Sequence, residues 1–334
     1  MESEEVLRAY NGKRIVVTGG AGCIGSNLVR ELLGAEPEKI VVIDDLSASF
    51  EWNLPKDPRV YFLQGSILDD ERMKRAFSFR PNYVFHLAAH FANQNSVDHA
   101  ETDLLVNGLG TLKALEYSSL VDIDRFVFAS SGCSVYGSQA PLPLREDFVS
   151  LHLDTPYQIN KLVGELYCNY FYDYYELPVA VCRYFNVYGP GEVPGKFRNV
   201  IPNFTWWAMD GQPLPITGTG EETRDFTFVD DIVDGTLRMG VVPGAVGEAI
   251  NLASETETQV IDLANWINEL TGNEAGIVFR PRRDWDKAVR RRASIEKAKR
   301  ILGYRPGTVM RTGLTRVYGW LKDNLENVKA SARF

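Results

Sequence analysis

Val16-Val17-Thr18-Gly19-Gly20-Ala21-Gly22-Cys23-Ile24-Gly25 is the stretch whose reading decides the fold. An apolar run ends in a glycine turn, and a helical pattern over Ile24–Leu33 follows. Gly19 permits the tight turn, Gly22 lets the backbone approach a pyrophosphate, and Gly25 allows close packing of helix on strand. The helix N-terminus, with Cys23 and Ile24 in its loop, then faces the phosphates. Such a turn is informative only between a strand and a helix, and here both are present.

Outward from this turn, short apolar runs alternate with helical patterns. The strands expected are Arg14–Thr18, Ile40–Ile43, Val60–Leu63, Tyr83–His86, Phe126–Ala129 and Val179–Arg183. Helices are expected over Ile24–Leu33, Leu104–Tyr117 and Tyr157–Tyr175. Several strands are nearly all apolar, as required where helices cover both sheet faces. The fold class is therefore α/β, a Rossmann-type doubly wound parallel sheet. After about Gly189 the pattern turns irregular and prolines punctuate it. Residues 1–189 are thus expected to form mainly the dinucleotide-binding domain with the catalytic pair. Residues 190–334 are expected to form mainly a smaller substrate lobe, with some elements returning to the first domain. Leu314–Leu325 reads as a surface helix, with a frayed tail from Asn327.

An acid ends the second strand. Asp44 follows Val41-Val42-Ile43 and stands 19 residues after Gly25. A carboxylate there accepts from ribose hydroxyls and repels a 2′-phosphate, which favours NAD over NADP. Asp45 is the neighbouring alternative, and either aspartate also suits a cap on the turn that follows.

The chain has 334 residues, 45% hydrophobic and 24% charged, with a net charge of −8. These values fit a globular protein with a sizeable core and disfavour a nucleic-acid partner, which calls for a basic stripe. Cys23, Cys133, Cys168 and Cys182 form no CxxC pair. No metal is expected, and reduced thiols in a cytoplasmic protein are the simplest reading. The acidic start Met1-Glu2-Ser3-Glu4-Glu5 has no apolar run like that of a signal peptide, and no stretch approaches a membrane span.

Tyr157-Gln158-Ile159-Asn160-Lys161 places a tyrosine and a lysine on one helix face. A free phenol has a pKa of about 10, too high for a base near neutrality, and a nearby ammonium lowers it. Tyr-x-x-x-Lys alone is commonly structural. Here Val127-Phe128-Ala129-Ser130-Ser131 emerges upstream as a strand whose end supplies hydroxyls beside the phenol.

Taken together, the chain resembles the extended short-chain dehydrogenase/reductase family in its NAD-dependent sugar-nucleotide epimerase/dehydratase branch. Besides the glycine turn and Tyr157 with Lys161, the carriers are His86-Leu87-Ala88-Ala89, Ser130 to Gly137, Arg183 to Pro190, Thr223 to Asp231 and Leu302-Gly303-Tyr304-Arg305-Pro306. The resemblance implies that Tyr157, assisted by Lys161, removes a proton from a sugar hydroxyl while hydride passes to NAD. It implies that Leu87, Ala88, Ala89, Asn107 and Tyr184 lie along the cofactor. Ser66, with Ile67, takes the place of an aspartate near the adenine. For the substrate it implies Asn186, Asn199, Val200, Arg224, Arg283 and Asp286, with Arg224 on the diphosphate. A homodimer through the helices Leu104–Tyr117 and Tyr157–Tyr175 is also implied.

Two departures from the family pattern matter. Gly132 stands where relatives carry a serine or threonine, so Ser131 or Ser134 is expected to supply that hydroxyl. Cys133-Ser134 precede Val135-Tyr136-Gly137 where dehydratases and decarboxylases carry a carboxylate. Elimination then lacks its acid–base partner, and 4-epimerisation of a UDP-sugar through a transient 4-keto sugar is favoured. A decarboxylase, a 4-ketoreductase and a non-catalytic NAD-binding protein are the alternatives. A neutral UDP-hexose of the glucose/galactose type is favoured slightly over UDP-glucuronate, to which the run Arg290-Arg291-Arg292 would be suited.

Overall fold

The strands form where buried apolar runs end in turns: β1 (Arg14–Thr18), β2 (Lys39–Asp44), β3 (Val60–Gln64), β4 (Tyr83–His86), β5 (Arg125–Ser131) and β6 (Val179–Tyr184). The computed structural model describes the whole chain, Met1–Phe334. A seventh strand, Ala249–Leu252, joins from the irregular second half and was not expected from its pattern. It pairs in parallel with β6, Ala249 beside Val181 and Leu252 beside Tyr184. The order across the sheet is Ala249–Leu252, β6, β5, β4, β1, β2, β3. All neighbours run parallel.

Alternate residues enter opposite cores, as the two-residue period of a strand demands. Val17, Val42, Phe85 and Val127 pack on one face of the sheet, and Val16, Val41, Val84 and Phe126 on the other. Each such side chain stabilises the fold by about 1.5–3 kcal/mol when fully buried. The buried Arg183–Glu165 pair, 2.7 Å apart, ties β6 to the helix Pro156–Tyr175.

The chain reverses direction across the sheet at β1, whose neighbours are β2 and β4. A crevice opens at such a switch point, beyond the carboxyl ends of the strands. Gly19, Leu87 and the ends of β2, β5 and β6 all meet there.

Three local findings differ from the sequence expectation. The expected helix over Leu104–Tyr117 begins earlier, at Ala100, and carries a π-helical stretch at Leu104–Leu109 before it resumes to Ser119. The C-terminal helix is Met310–Asp323, followed by a further helix, Leu325–Ser331. The tail is therefore not frayed from Asn327. Arg333 bridges to Gly195, and Phe334 packs on Trp207 with ring centroids 5.5 Å apart. No helix is long and apolar enough to cross a membrane.

Outside the seven-stranded sheet, the second half forms the helix Val200–Met209, the parallel pair Leu214–Thr217 with Ile277–Arg280, the antiparallel pair Thr223–Asp225 with Glu257–Gln259, and the helix Val260–Thr271. Residues from both halves of the chain line the crevice.

Candidate active site

Two adjoining cavities occupy the crevice. The first, about 500 Å³, begins at the glycine turn. Gly19 has φ +69°, and a Cβ there would sit 2.6 Å from the Ala88 nitrogen, so the turns after β1 and β4 touch only because residue 19 is glycine. A Cβ on Gly25 would overlap the Gly19 carbonyl oxygen. The helix Cys23–Gly34 starts at Gly22 with no side-chain cap and no acid in its first turn. Its free N–H groups and positive dipole end are suited to phosphate oxygens.

Asp44 closes the other side of this turn. Its carboxylate accepts from Ala21 N (3.0 Å), Leu46 N (2.9 Å) and Ser49 Oγ (2.6 Å). Burial raises its pKa, and those hydrogen bonds oppose the rise. Asp45 accepts from Ser47 N at 2.9 Å. Both aspartates thus cap the turn and line the cavity at once. Gly22, Cys23, Ile24, Ser66, Ile67, Leu87, Ala88 and Ala89 also line it. Tyr184 forms part of the wall while its hydroxyl bonds Thr236 Oγ1 at 2.8 Å. A glycine cradle, an uncapped helix end and a carboxylate after β2 are the donor and acceptor set that NAD requires.

Asn107 is the exception and a correction, because it does not reach the cavity wall. It is buried, donates to Asp103 Oδ2 (2.9 Å) and the His90 carbonyl (3.0 Å), and accepts from His90 N (3.0 Å). The π-helical stretch places it under the loop that lines the cavity, so it holds that loop from behind. Asp103, which also accepts from Asn160 Nδ2 at 2.7 Å, anchors the same network.

Tyr157 and Lys161 line the first cavity, which shares Cys133 and Asn186 with the second. The helix that carries them starts with Thr155, whose Oγ1 accepts from Gln158 N, and with Pro156 in its first turn. Lys161 Nζ lies 5.6 Å from the Tyr157 ring centroid and donates to the Ala129 carbonyl at 2.9 Å. Burial lowers the Lys161 pKa to about 8, with Asp103, Cys168 and Glu165 opposing. Burial also pushes the Tyr157 phenol above its ordinary value, aided by Asp103 and Cys133, and the Ser131 hydroxyl opposes the rise.

Ser131 lines the cavity, and Ser134 does not. Ser134 is fully buried and donates to Ser131 Oγ at 2.8 Å, so it stands behind Ser131. The Phe185 ring fills the place that a side chain on Gly132 would take. A hydroxyl cannot stand at 132 while Phe185 keeps its position.

The second cavity, about 450 Å³, shares Ala92, Asn93, Cys133, Asn186, Arg198 and Asn199 with the first. All six expected substrate residues line it: Asn186, Asn199, Val200, Arg224, Arg283 and Asp286. Asn186, at φ +32°, donates to Cys133 Sγ and the Asp225 carbonyl, each at 3.3 Å. Arg224 grips Asp286 through both carboxylate oxygens, 3.1 and 3.0 Å. Arg283 lies over the Trp285 ring, 5.7 Å from its centroid. Within the arginine run, Arg290 turns away to Glu257, whereas Arg291 points inward.

Sequence reasoning missed Glu192, Arg198 and Phe91. Glu192 is buried beside the first cavity, accepts from Asn199 Nδ2 at 3.0 Å, and is pushed up to about 7 by burial. Phe91 meets the Tyr157 ring edge-on at 6.2 Å. These residues lie in segments without periodicity, so no pattern marks them. The one available signal was a glutamate directly after Tyr188-Gly189-Pro190-Gly191.

Residues 15–253 match the family described as NAD dependent epimerase/dehydratase. The UDP-glucose 4-epimerase of Mycolicibacterium smegmatis is 33% identical over 313 residues, covering 93% of this chain and 99% of its own. The solved epimerase Mth375 of the thermophilic, pseudomurein-containing methanogen Methanothermobacter thermautotrophicus is 58% identical and superposes with a TM-score of 0.98, covering 99% of this chain and 98% of its own. WbmF of Bordetella bronchiseptica, solved with NAD+, is 35% identical with a TM-score of 0.85, covering 97% of this chain and 96% of its own. Matched along most of its length and built around a cradle suited to the same cofactor, the chain belongs to the NAD dependent epimerase/dehydratase family, and NAD is its cofactor.

Proposed function

We propose that this chain is a UDP-sugar 4-epimerase in which Tyr157 is the acid–base residue, Lys161 its electrostatic partner and Ser131 the hydroxyl beside the reacting oxygen. The observation that carries the reading is that Tyr157, Lys161 and Ser131 line one cavity together with the glycine turn, while the segment Ser131–Tyr136 brings no carboxylate. The activity of the Mycolicibacterium relative supports the same reading.

NAD, when bound, supplies the acceptor that takes hydride from the sugar C4 and returns it to the opposite face. The protein's task is to manage one proton and one rotation. Tyr157 holds the proton removed from O4 and gives it back. Burial keeps its phenol protonated without help, so the nearby positive charge of Lys161 stabilises the phenolate when the proton moves. Lys161, fixed on the Ala129 carbonyl, supplies that charge without free rotation. The 4-keto sugar then turns in the second cavity while the diphosphate stays held by the Arg224 region.

Epimerisation carried out in D2O tests this. Because the same hydride returns, the C4 epimer is expected without deuterium on C4. Deuterium at C4 would overturn the mechanism.

The exposed apolar face formed by Leu104, Leu166, Tyr170 and Tyr174 supports a homodimer through the two long helices of the first domain.

A further inference from the structure

Arg291 is a buried cation without an anion. It is 7% exposed, and its one side-chain hydrogen bond runs from Nη1 to the Gly137 carbonyl at 3.1 Å. Nearby carboxylates are already engaged: Asp286 pairs with Arg224 at 3.0 Å, and Asp154 with Lys287 at 3.2 Å. A largely buried guanidinium without a carboxylate partner is unfavourable unless something charged completes it. Its cost is explained if the completing group arrives with the substrate.

The charge of the cavity points the same way. Six basic and three acidic side chains line it. The diphosphate of a nucleoside diphosphate sugar brings two negative charges and leaves one cation unmatched. Lys196 and Arg283 are exposed at the surface, whereas Arg291 is buried in the cavity wall.

Its position selects which part of the ligand it meets. Cys133 lines both cavities, Tyr157 lines the first and Arg291 the second, so Cys133 connects the two walls. On the epimerase reading O4 of the sugar stands at Tyr157, and a carboxylate at C6 is the added negative charge a hexose can bring beside it.

We infer that Arg291 holds a C6 carboxylate, so that the substrate is a UDP-activated hexuronate rather than a hexose with a neutral hydroxymethyl group. This rests on the UDP-sugar epimerase reading and reverses the preference for a neutral hexose drawn from the sequence. A guanidinium is suited to a planar carboxylate because it offers two parallel donors.

Calorimetric titration of the NAD-loaded protein with UDP, UDP-glucose and UDP-glucuronate tests it, in wild type, Arg291→Met and Arg291→Lys. Wild type is expected to bind UDP-glucuronate at least tenfold more tightly than UDP-glucose. Arg291→Met is expected to abolish that preference and leave UDP affinity within twofold, which also reports an intact fold. Arg291→Lys is expected to retain part of the preference. Equal binding of the two sugars by wild type would overturn the inference. So would an equal loss for all three ligands in both variants, since that assigns Arg291 to the phosphates or to the fold. Binding preference is read without turnover, so failure here leaves the epimerase reading standing. Selective binding without C4 turnover would instead overturn the epimerase reading alone.

Discussion

Gly132 and Phe185 exchange roles that a family pattern assigns to one residue. The aromatic ring occupies the space of a side chain at 132, and the hydroxyl facing Tyr157 comes from Ser131. Gly132→Ser is therefore expected to destabilise the protein by about 1–3 kcal/mol through overpacking, measured as a shift in the denaturant midpoint, and Phe185→Leu in the same chain is expected to recover most of it. No destabilisation would show that Phe185 moves freely. Lys161→Met is expected to lower kcat by roughly 10²–10⁴-fold. Removing the ammonium makes the phenolate harder to form, so the acid limb of the kcat profile moves to higher pH; an unmoved limb would place the base elsewhere. The sequence showed that a hydroxyl was missing at 132. It left Ser131 and Ser134 open, because the direction of each side chain is set by the short helix Gly132–Val135 and not by spacing.

Elements with a clear period were legible, and those without were not. The glycine turn, its helix and the helix of Tyr157 follow from local chemistry: positive φ, N-capping and one buried face. The π-helical stretch at Leu104–Leu109 has no such mark, which is why Asn107 was expected on the cofactor and instead supports the loop at His90. Glu192 lies on another irregular segment. Its carboxyl keeps a pKa of about 7 in the fold, against an ordinary value of 4.5, and its Oε2 has no partner. The folded state thus holds this proton more tightly than the unfolded chain. Stability from this group is lost as pH rises from about 4.5 to 7 and stays lost above, a penalty on the order of 3 kcal/mol. Glu192→Gln is expected to raise Tm at pH 8 and to change it little near pH 4. Equal changes at both pH values would contradict the buried proton.

At the scale of the molecule, the first six strands were readable because both sheet faces are covered and each strand is a continuous apolar run. Ala249–Leu252 was not, because its four residues lie within the irregular half and only pairing with β6 makes them a strand. The second cavity was legible as a set of motifs but not as a charge balance, since Arg291 could be told from Arg290 only once the chain was folded. Leu166→Glu with Tyr170→Glu is expected to convert a dimer to a monomer in light scattering while Tm falls by no more than a few degrees. A wild-type protein that is already monomeric would contradict the proposed interface. C4 epimerisation is expected to run on a cofactor that need not dissociate. The direct measurement is NMR of the purified protein with UDP-glucuronate, and separately UDP-glucose, with no NAD added. The C4 epimer is expected in wild type, faster from the uronate, and none in Tyr157→Phe. Retention of both sugars unchanged by a protein that binds them, or conversion that survives Tyr157→Phe, would contradict it.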